Sequence, residues 1–257
     1  MRICALISAY AAGSSPVEEL DPAPEPARWL EGHEVETVAV TQADAAGQVR
    51  ALAERGFDVF LNLCDGAWFE AVAGIEVVEA LERLEVPFTG PTSRLYALTK
   101  EAMKAAATRL GVPTPASAFV RSAAEIEAAA GRLRFPLIVK HFDGFGSVGM
   151  SRASRVADAA ALREQARAMI ALAGAALVEE YVAGEEYAVL VAEVPGAPGA
   201  ARALTPVRCV FPPGESFRHF DLKWSGFEAL GWQPCADAEL AGRLAALSER
   251  IFVGIEG

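Results

Sequence analysis

Short apolar runs and amphipathic stretches alternate along most of this chain, and that alternation predicts an α/β protein. Residues 2–8 are an apolar run of strand length. Residues 34–41 carry Val35, Val38 and Val40 near period two, which predicts a second strand. Residues 45–55 space Val49, Leu52 and Ala53 as a helix does. Residues 58–63 predict a short buried strand, 74–84 a helix and 86–89 a strand, while the Pro- and Glu-rich residues 14–26 predict a loop. This β-β-α-β-α-β order predicts a small parallel sheet that closes near residue 92.

Further along, residues 99–110 predict a helix stopped by Gly111, Pro113 and Pro115. A strand (118–120), a helix (123–133) and an apolar strand (136–140) follow. Residues 147–153 alternate like the return strand of a hairpin. A helix over 157–172 and a strand over 176–181 come next. Residues 187–194 and 203–211 predict antiparallel strands around a Pro/Gly-rich turn. Residues 237–252 predict a final helix with Leu240, Leu244, Leu247 and Ile251 on one face.

The chemistry gathers where these elements meet. Residues 135–140 read Phe-Pro-Leu-Ile-Val-Lys, so a lysine ends a buried strand. Residues 143–151 read Asp-Gly-Phe-Gly-Ser-Val-Gly-Met-Ser, a glycine-rich turn. Residues 177–186 read Leu-Val-Glu-Glu-Tyr-Val-Ala-Gly-Glu-Glu. Lysine and glycine amides can meet phosphates, while the acids can meet an adenine amino group and a ribose. Gly144 to Gly149 also matches G-x-G-x-x-G, the dinucleotide fingerprint, but that fingerprint needs a helix to open at its last glycine. The predicted strand after Ser147 favours instead a glycine flap lying over phosphates, or an ordinary hairpin.

Composition narrows the function classes. The 257 residues suggest two domains, and 53% hydrophobic content with mean hydropathy +0.25 fits a compact globular protein. The net charge of −11 without a basic run argues against nucleic acid as partner. No apolar run has the length of a signal peptide or membrane span, so a soluble cytoplasmic protein is expected. Cys4, Cys64, Cys209 and Cys235 are scattered, without C-x-x-C, which fits reduced thiols and argues against a zinc ribbon.

From about residue 58 to 224 the chain resembles the ATP-grasp superfamily, and within it D-alanine–D-alanine ligase-like proteins. The matching pieces are Pro87 to Gly90, Thr99 and Lys100 through Pro115, the strand and loop just described, Glu179 to Glu186, and Phe220 to Trp224. The resemblance implies a small parallel-sheet (pre-ATP-grasp) domain over 1–92. It also implies an ATP-grasp domain with a central part over 93–183 and an incomplete C-terminal part over 184–257. Lys100 and Lys140 would contact the nucleotide's inner phosphates and Lys223 the γ-phosphate. Gly146, Ser147 and Val148 would form the flap tip. Glu179 would take the adenine amino group, Tyr181 and Val182 would line the base, and Glu186 would hold the ribose. Lys223 and Ser147 are the expected catalytic residues. Glu180, Glu185 and Lys104 read as exposed residues, and His33 and His219 as surface or loop residues. His141 is a candidate lining residue.

The sequence also departs from that family. A second flap serine and a tyrosine after the late lysine are replaced by Gly146 and Trp224. Residues 13–19 resemble a substrate loop only loosely, with Glu18 as the candidate there. Asp65 would meet an acceptor amine or cap the next helix. No aspartate followed by Glu-x-Asn is present, so magnesium ligands are expected beyond residue 257, in a chain apparently truncated and therefore inactive by itself. The reading is an ATP- and Mg²⁺-dependent carboxylate–amine ligase acting on a small amino acid or carboxylate through an acylphosphate, with a homodimer allowed by resemblance. Its alternatives are a non-catalytic ATP-binding module and a dinucleotide-dependent oxidoreductase.

Overall fold

The computed structural model describes all residues except 11, 12, 14, 16, 22, 68, 69, 198, 256 and 257, and the backbone alone at 227. Ser14 and Pro16 of the loosely matching substrate loop therefore lie outside the described residues. The chain divides into two compact units, Met1–Leu98 and Thr99–Gly257. No described helix is long and apolar enough to cross a membrane.

The first unit is built from β1 (Arg2–Ser8), β2 (Glu34–Val40), α1 (Ala45–Ala53), β3 (Val59–Leu63), α2 (Ile75–Arg83), β4 (Phe88–Thr89) and the short α3 (Ser93–Tyr96). Its four strands form one parallel sheet in the order β2-β1-β3-β4. β1 is central, so Ile3, Cys4, Ala5 and Leu6 are buried on both faces, which explains the unbroken apolar run in its sequence. On one side Cys4 and Leu6 pack with Val49 and Leu52 of α1, Phe60 of β3, and Val77 and Leu81 of α2. The predicted elements of this unit are all present, with ends displaced by at most two residues.

The second unit begins with α4 (Lys100–Arg109), β5 (Ser117–Val120), α5 (Ala123–Arg132), β6 (Leu137–His141), β7 (Arg155–Val156), α6 (Ala159–Ala173) and β8 (Ala176–Glu180). Its main sheet is antiparallel throughout, in the order β5-β8-β6-β7. Helices α5 and α6 cover one face, burying Val120, Ile126, Leu137, Val139, Leu162, Met169 and Val178 in one cluster. Asp158 caps α6, accepting from the amides of Ala160 and Ala161, and Gly174 ends the helix in the left-handed region.

The predicted return strand over 147–153 is absent. Gly146, Ser147 and Gly149 adopt positive φ, which bends the chain rather than extending it. Ser151 and Ser154 then form a reciprocal capping box on a single 3₁₀ turn. The return strand is β7, two residues long, paired with Leu137 and Ile138. Because the next helix starts only at Ala159, the glycines do not open a helix as the dinucleotide fingerprint requires.

The remaining elements are β9 (Glu186–Ala188), β10 (Val191–Glu193), β11 (Ala201–Ala203), β12 (Val207–Val210), α7 (Phe220–Trp224), β13 (Gly231–Pro234) and α8 (Ala238–Gly254). The two predicted strands are each split. β10 pairs with β11 next to the turn, and β9 pairs with β12, whose far edge takes β13. Helix α8 is capped by Asp237, which accepts from the amides of Glu239 and Leu240.

Candidate functional site

The site starts from strand register. Ile138 of β6 lies opposite Glu179 of β8, so Lys140, two residues on, shares a face with Glu179 as its diagonal neighbour. That face is turned away from α5 and α6. The Lys140 ammonium donates to Glu179 Oε2 at 2.6 Å. The other carboxylate oxygen accepts from Lys104 at 2.7 Å, and Lys104 also donates to Thr114 Oγ1 and the Pro115 carbonyl. Lys104 is thus not the exposed helix lysine expected: its side chain keeps 17% of its exposure and is anchored in the sheet. Glu180, on the next position, pairs with Arg134, and Glu185 with Arg208.

Lys100 is the first residue of α4, which Thr99 caps by accepting from the Ala102 amide. Its ammonium donates to the carbonyls of His141 (3.0 Å) and Gly144 (2.6 Å), and its amide donates to Asp143. His141 is buried, and its Nδ1 accepts from the amides of Asp143 and Gly144. A Cβ at Gly144 would sit 2.7 Å from that imidazole, so only glycine fits. This is how α4 and β6 fix the start of the glycine turn.

The tip of the turn is held from the opposite side. Ser147 Oγ donates to the Arg218 carbonyl at 2.8 Å, and the Trp224 indole donates to the Gly146 carbonyl at 2.7 Å. The Phe220 amide donates to the Met150 carbonyl. Helix α7, which carries Lys223 and Trp224, is capped by His219, whose Nδ1 accepts from the Leu222 amide. His219 is 1% exposed and pairs through Nε2 with Glu215, which also binds Arg152. The expectation of a surface histidine is therefore corrected: the ring is a packed cap. Its partners, Leu222 and Glu215, are only three and four residues away but lie in a segment without periodic signal, which is why the sequence hid it.

Between the strand face, the turn and α7 lies a cavity of about 370 Å³, within the usual range for small-molecule sites. Lys100, Lys140, Gly146, Ser147, Val148, Glu186 and Lys223 all line it. Arg218, which sequence reading missed, lines it too and pairs with Glu186 at 2.5 Å. Four cationic side chains and one carboxylate thus face one space in a protein of net charge −11. Such a cavity concentrates anions. Burial, the Lys140 charge and more weakly the Lys223 charge lower the Lys100 pKa to about 8. Burial and Arg218 lower that of Lys223. Burial works to raise the Glu179 pKa, but the Lys140 charge and the two lysine hydrogen bonds outweigh it and hold the carboxyl below its ordinary value.

The other expected residues are placed differently. Glu179 is reached through Lys140 rather than lining the cavity. Tyr181 donates to the Ser216 carbonyl, and the Arg155 guanidinium lies over its ring. Val182 is 70% exposed. Glu18 and Asp65 belong to the first unit. Glu18 accepts from the Gly13 amide, and the Asp65 amide donates to Ser8 Oγ. Desolvation and the neighbouring Asp21 hold the Asp65 carboxyl above its ordinary pKa. Among the described residues, no group of three or more His, Cys, Asp and Glu side chains is arranged to hold a metal ion.

No family model matches the chain. The D-alanine–D-alanine ligase of Ectopseudomonas mendocina (strain ymp) is 33% identical over 183 residues, which cover 69% of this chain and 54% of that protein. The enzyme of the same name from Ralstonia pickettii (strain 12J) is 30% identical over 214 residues, 80% of this chain and 60% of that protein. The chain therefore spans little more than half the length of these relatives. The solved D-alanine–D-alanine ligase of Bacillus anthracis, complexed with ATP, superposes with a TM-score of 0.67 at 17% identity, over all of this chain and 78% of that one. D-alanyl-alanine synthetase A of Vibrio cholerae superposes with a TM-score of 0.68 at 16% identity, over 99% of this chain and 80% of that one. At these identities the structures share the fold.

Proposed function

The chain is a D-alanine–D-alanine ligase-like protein of the ATP-grasp kind, and from that premise we propose that its cavity binds ATP for a carboxylate–amine ligase. The observation that carries this reading is the convergence of Lys100, Lys140, Lys223 and Arg218 beneath a glycine turn. The lysines would hold the phosphates as point charges. The amides near Gly146, Ser147 and Val148 would cover them, and Glu186 would accept from the ribose hydroxyls. Glu179, Tyr181 and Val182 would serve the base. Residues 93–183 and 184–257 would be the two parts of the grasp.

In the proposed reaction a substrate carboxylate oxygen attacks the γ-phosphorus of ATP, giving an acylphosphate and ADP. An amine then attacks the acyl carbon, phosphate leaves, and an amide bond forms. Lys223 and Ser147 are the side chains proposed nearest the transferred group. Their contribution is charge stabilisation and closure against water, since no side-chain nucleophile is needed. The described residues do not offer a magnesium site, and no step is assigned to one. The amino-acid or carboxylate substrate, with Glu18 and Asp65 as its candidate contacts, a homodimeric state and a cytoplasmic setting belong to the same proposal.

Calorimetric titration of ATP into the Lys140→Glu variant tests the phosphate reading. Loss of detectable binding is expected, and an affinity equal to wild type overturns the role given to Lys140. Phosphate release from ATP in the presence of Mg²⁺ and amino acids would exclude a module that only binds the nucleotide.

A further inference from the structure

We infer that Lys104 is a positioning residue that balances the charge of Glu179 and so leaves the Lys140 charge available to a polyphosphate in the cavity. This rests on the nucleotide reading above. Glu179 is buried, with 9% of its side chain exposed, and each of its oxygens is taken by a different lysine at 2.6–2.7 Å. The trio carries one net positive charge. Its members are not equivalent. Lys104 uses all three ammonium hydrogens on fixed acceptors, namely Thr114 Oγ1, the Pro115 carbonyl and Glu179 Oε1. It does not line the cavity. Lys140 does, with 32% of its side chain exposed.

Without Lys104, Glu179 and Lys140 would form a closed neutral pair, and the cavity would lose one unit of its positive charge. In a partly desolvated site a unit charge acts over several ångströms far more strongly than in water. A lysine that never touches the ligand can therefore set how strongly its neighbour does. A purely structural Lys104 would make no such difference to an anion lacking a base and a ribose.

The test is calorimetric titration of inorganic tripolyphosphate into the full chain at low salt, for wild type, Glu179→Gln, Lys104→Met and the double variant. Tripolyphosphate removes any contribution of Glu179 to adenine. The inference expects Glu179→Gln to bind about tenfold more tightly than wild type, and Lys104→Met about tenfold more weakly. The double variant, again with one net positive charge, should return to within about threefold of wild type. Glu179→Gln keeps the inference open to failure even if Lys104→Met does not fold, since a Glu179 charge that holds back Lys140 must, once neutralised, leave Lys140 freer to meet the anion. Binding by Glu179→Gln no tighter than by wild type overturns the inference and leaves the phosphate reading intact. Absence of tripolyphosphate binding by wild type overturns both.

Discussion

The cavity has two sides built on different principles. The β6–β8 side is a sheet. Its polar residues are placed by register, and a packed apolar layer stands behind them. The turn and α7 side is held by separate hydrogen bonds, chiefly Ser147 to Arg218, Trp224 to Gly146 and Phe220 to Met150. The sheet side cannot shift by one residue without moving Lys140 and Glu179 off the cavity face. The turn side can release one bond at a time. The first kind of construction suits groups that must be fixed in advance, and the second suits a cover that must admit a ligand.

Substitutions should separate the two sides. The largest effect is expected behind the sheet. Leu137 is fully buried, and Leu137→Ala should lower unfolding free energy by about 3 kcal/mol, as measured by denaturant titration. A loss under about 1 kcal/mol would mean that this layer does not hold the wall. Next comes pH. Phosphate binding favours charged Lys100, whose pKa is about 8 in the free protein. ATP affinity should be level below that pH and fall about tenfold between pH 7 and 9, with proton uptake on binding visible by calorimetry in two buffers. The same depressed pKa disfavours the fold while Lys100 is charged, so its stability contribution improves as pH rises from about 8 towards the ordinary lysine value.

Smaller effects belong to the turn side. Trp224→Phe removes one hydrogen bond, worth about 1 kcal/mol. It should weaken ATP binding about fivefold while leaving the melting temperature within a few degrees of wild type. A drop in melting temperature like that of Leu137→Ala would show that α7 belongs to the core after all. Smallest is Ser147→Gly. It removes the hydroxyl bond to Arg218 and also relieves a non-glycine residue at φ 60°. These terms oppose each other, so stability should stay within about 0.5 kcal/mol of wild type, while protease cleavage near the turn increases.

The same contrast explains what the sequence disclosed. β3, α2 and α8 were legible because their apolar positions repeat with the period of the element, and β1 because its apolar run is unbroken. Lys100, Lys140 and the glycine turn were legible because a lysine at a strand end beside glycines is an unusual local pattern. Helix α7 and β13 were not, since each is too short to show a period. The return strand was misplaced because alternation at Ser147 to Ser151 imitated a strand, while positive φ at Ser147 and Gly149 turned it. Lys104 and Arg218 were missed or misread because their meaning depends on partners 75 and 32 residues away, Glu179 and Glu186. A surface lysine and a buried one look alike until the opposite strand is in place.

The Trp224 indole, bonded to the carbonyl of Gly146, also turns the cover of this cavity into its own optical reporter. The chain has four tryptophans, and changing Trp29, Trp68 and Trp232 to phenylalanine would leave Trp224 as the one indole. In that background, emission comes from the ring that fastens the turn. Opening exposes the indole to water and shifts its emission to the red, so stopped-flow mixing with nucleotide reads the closing rate without an attached dye.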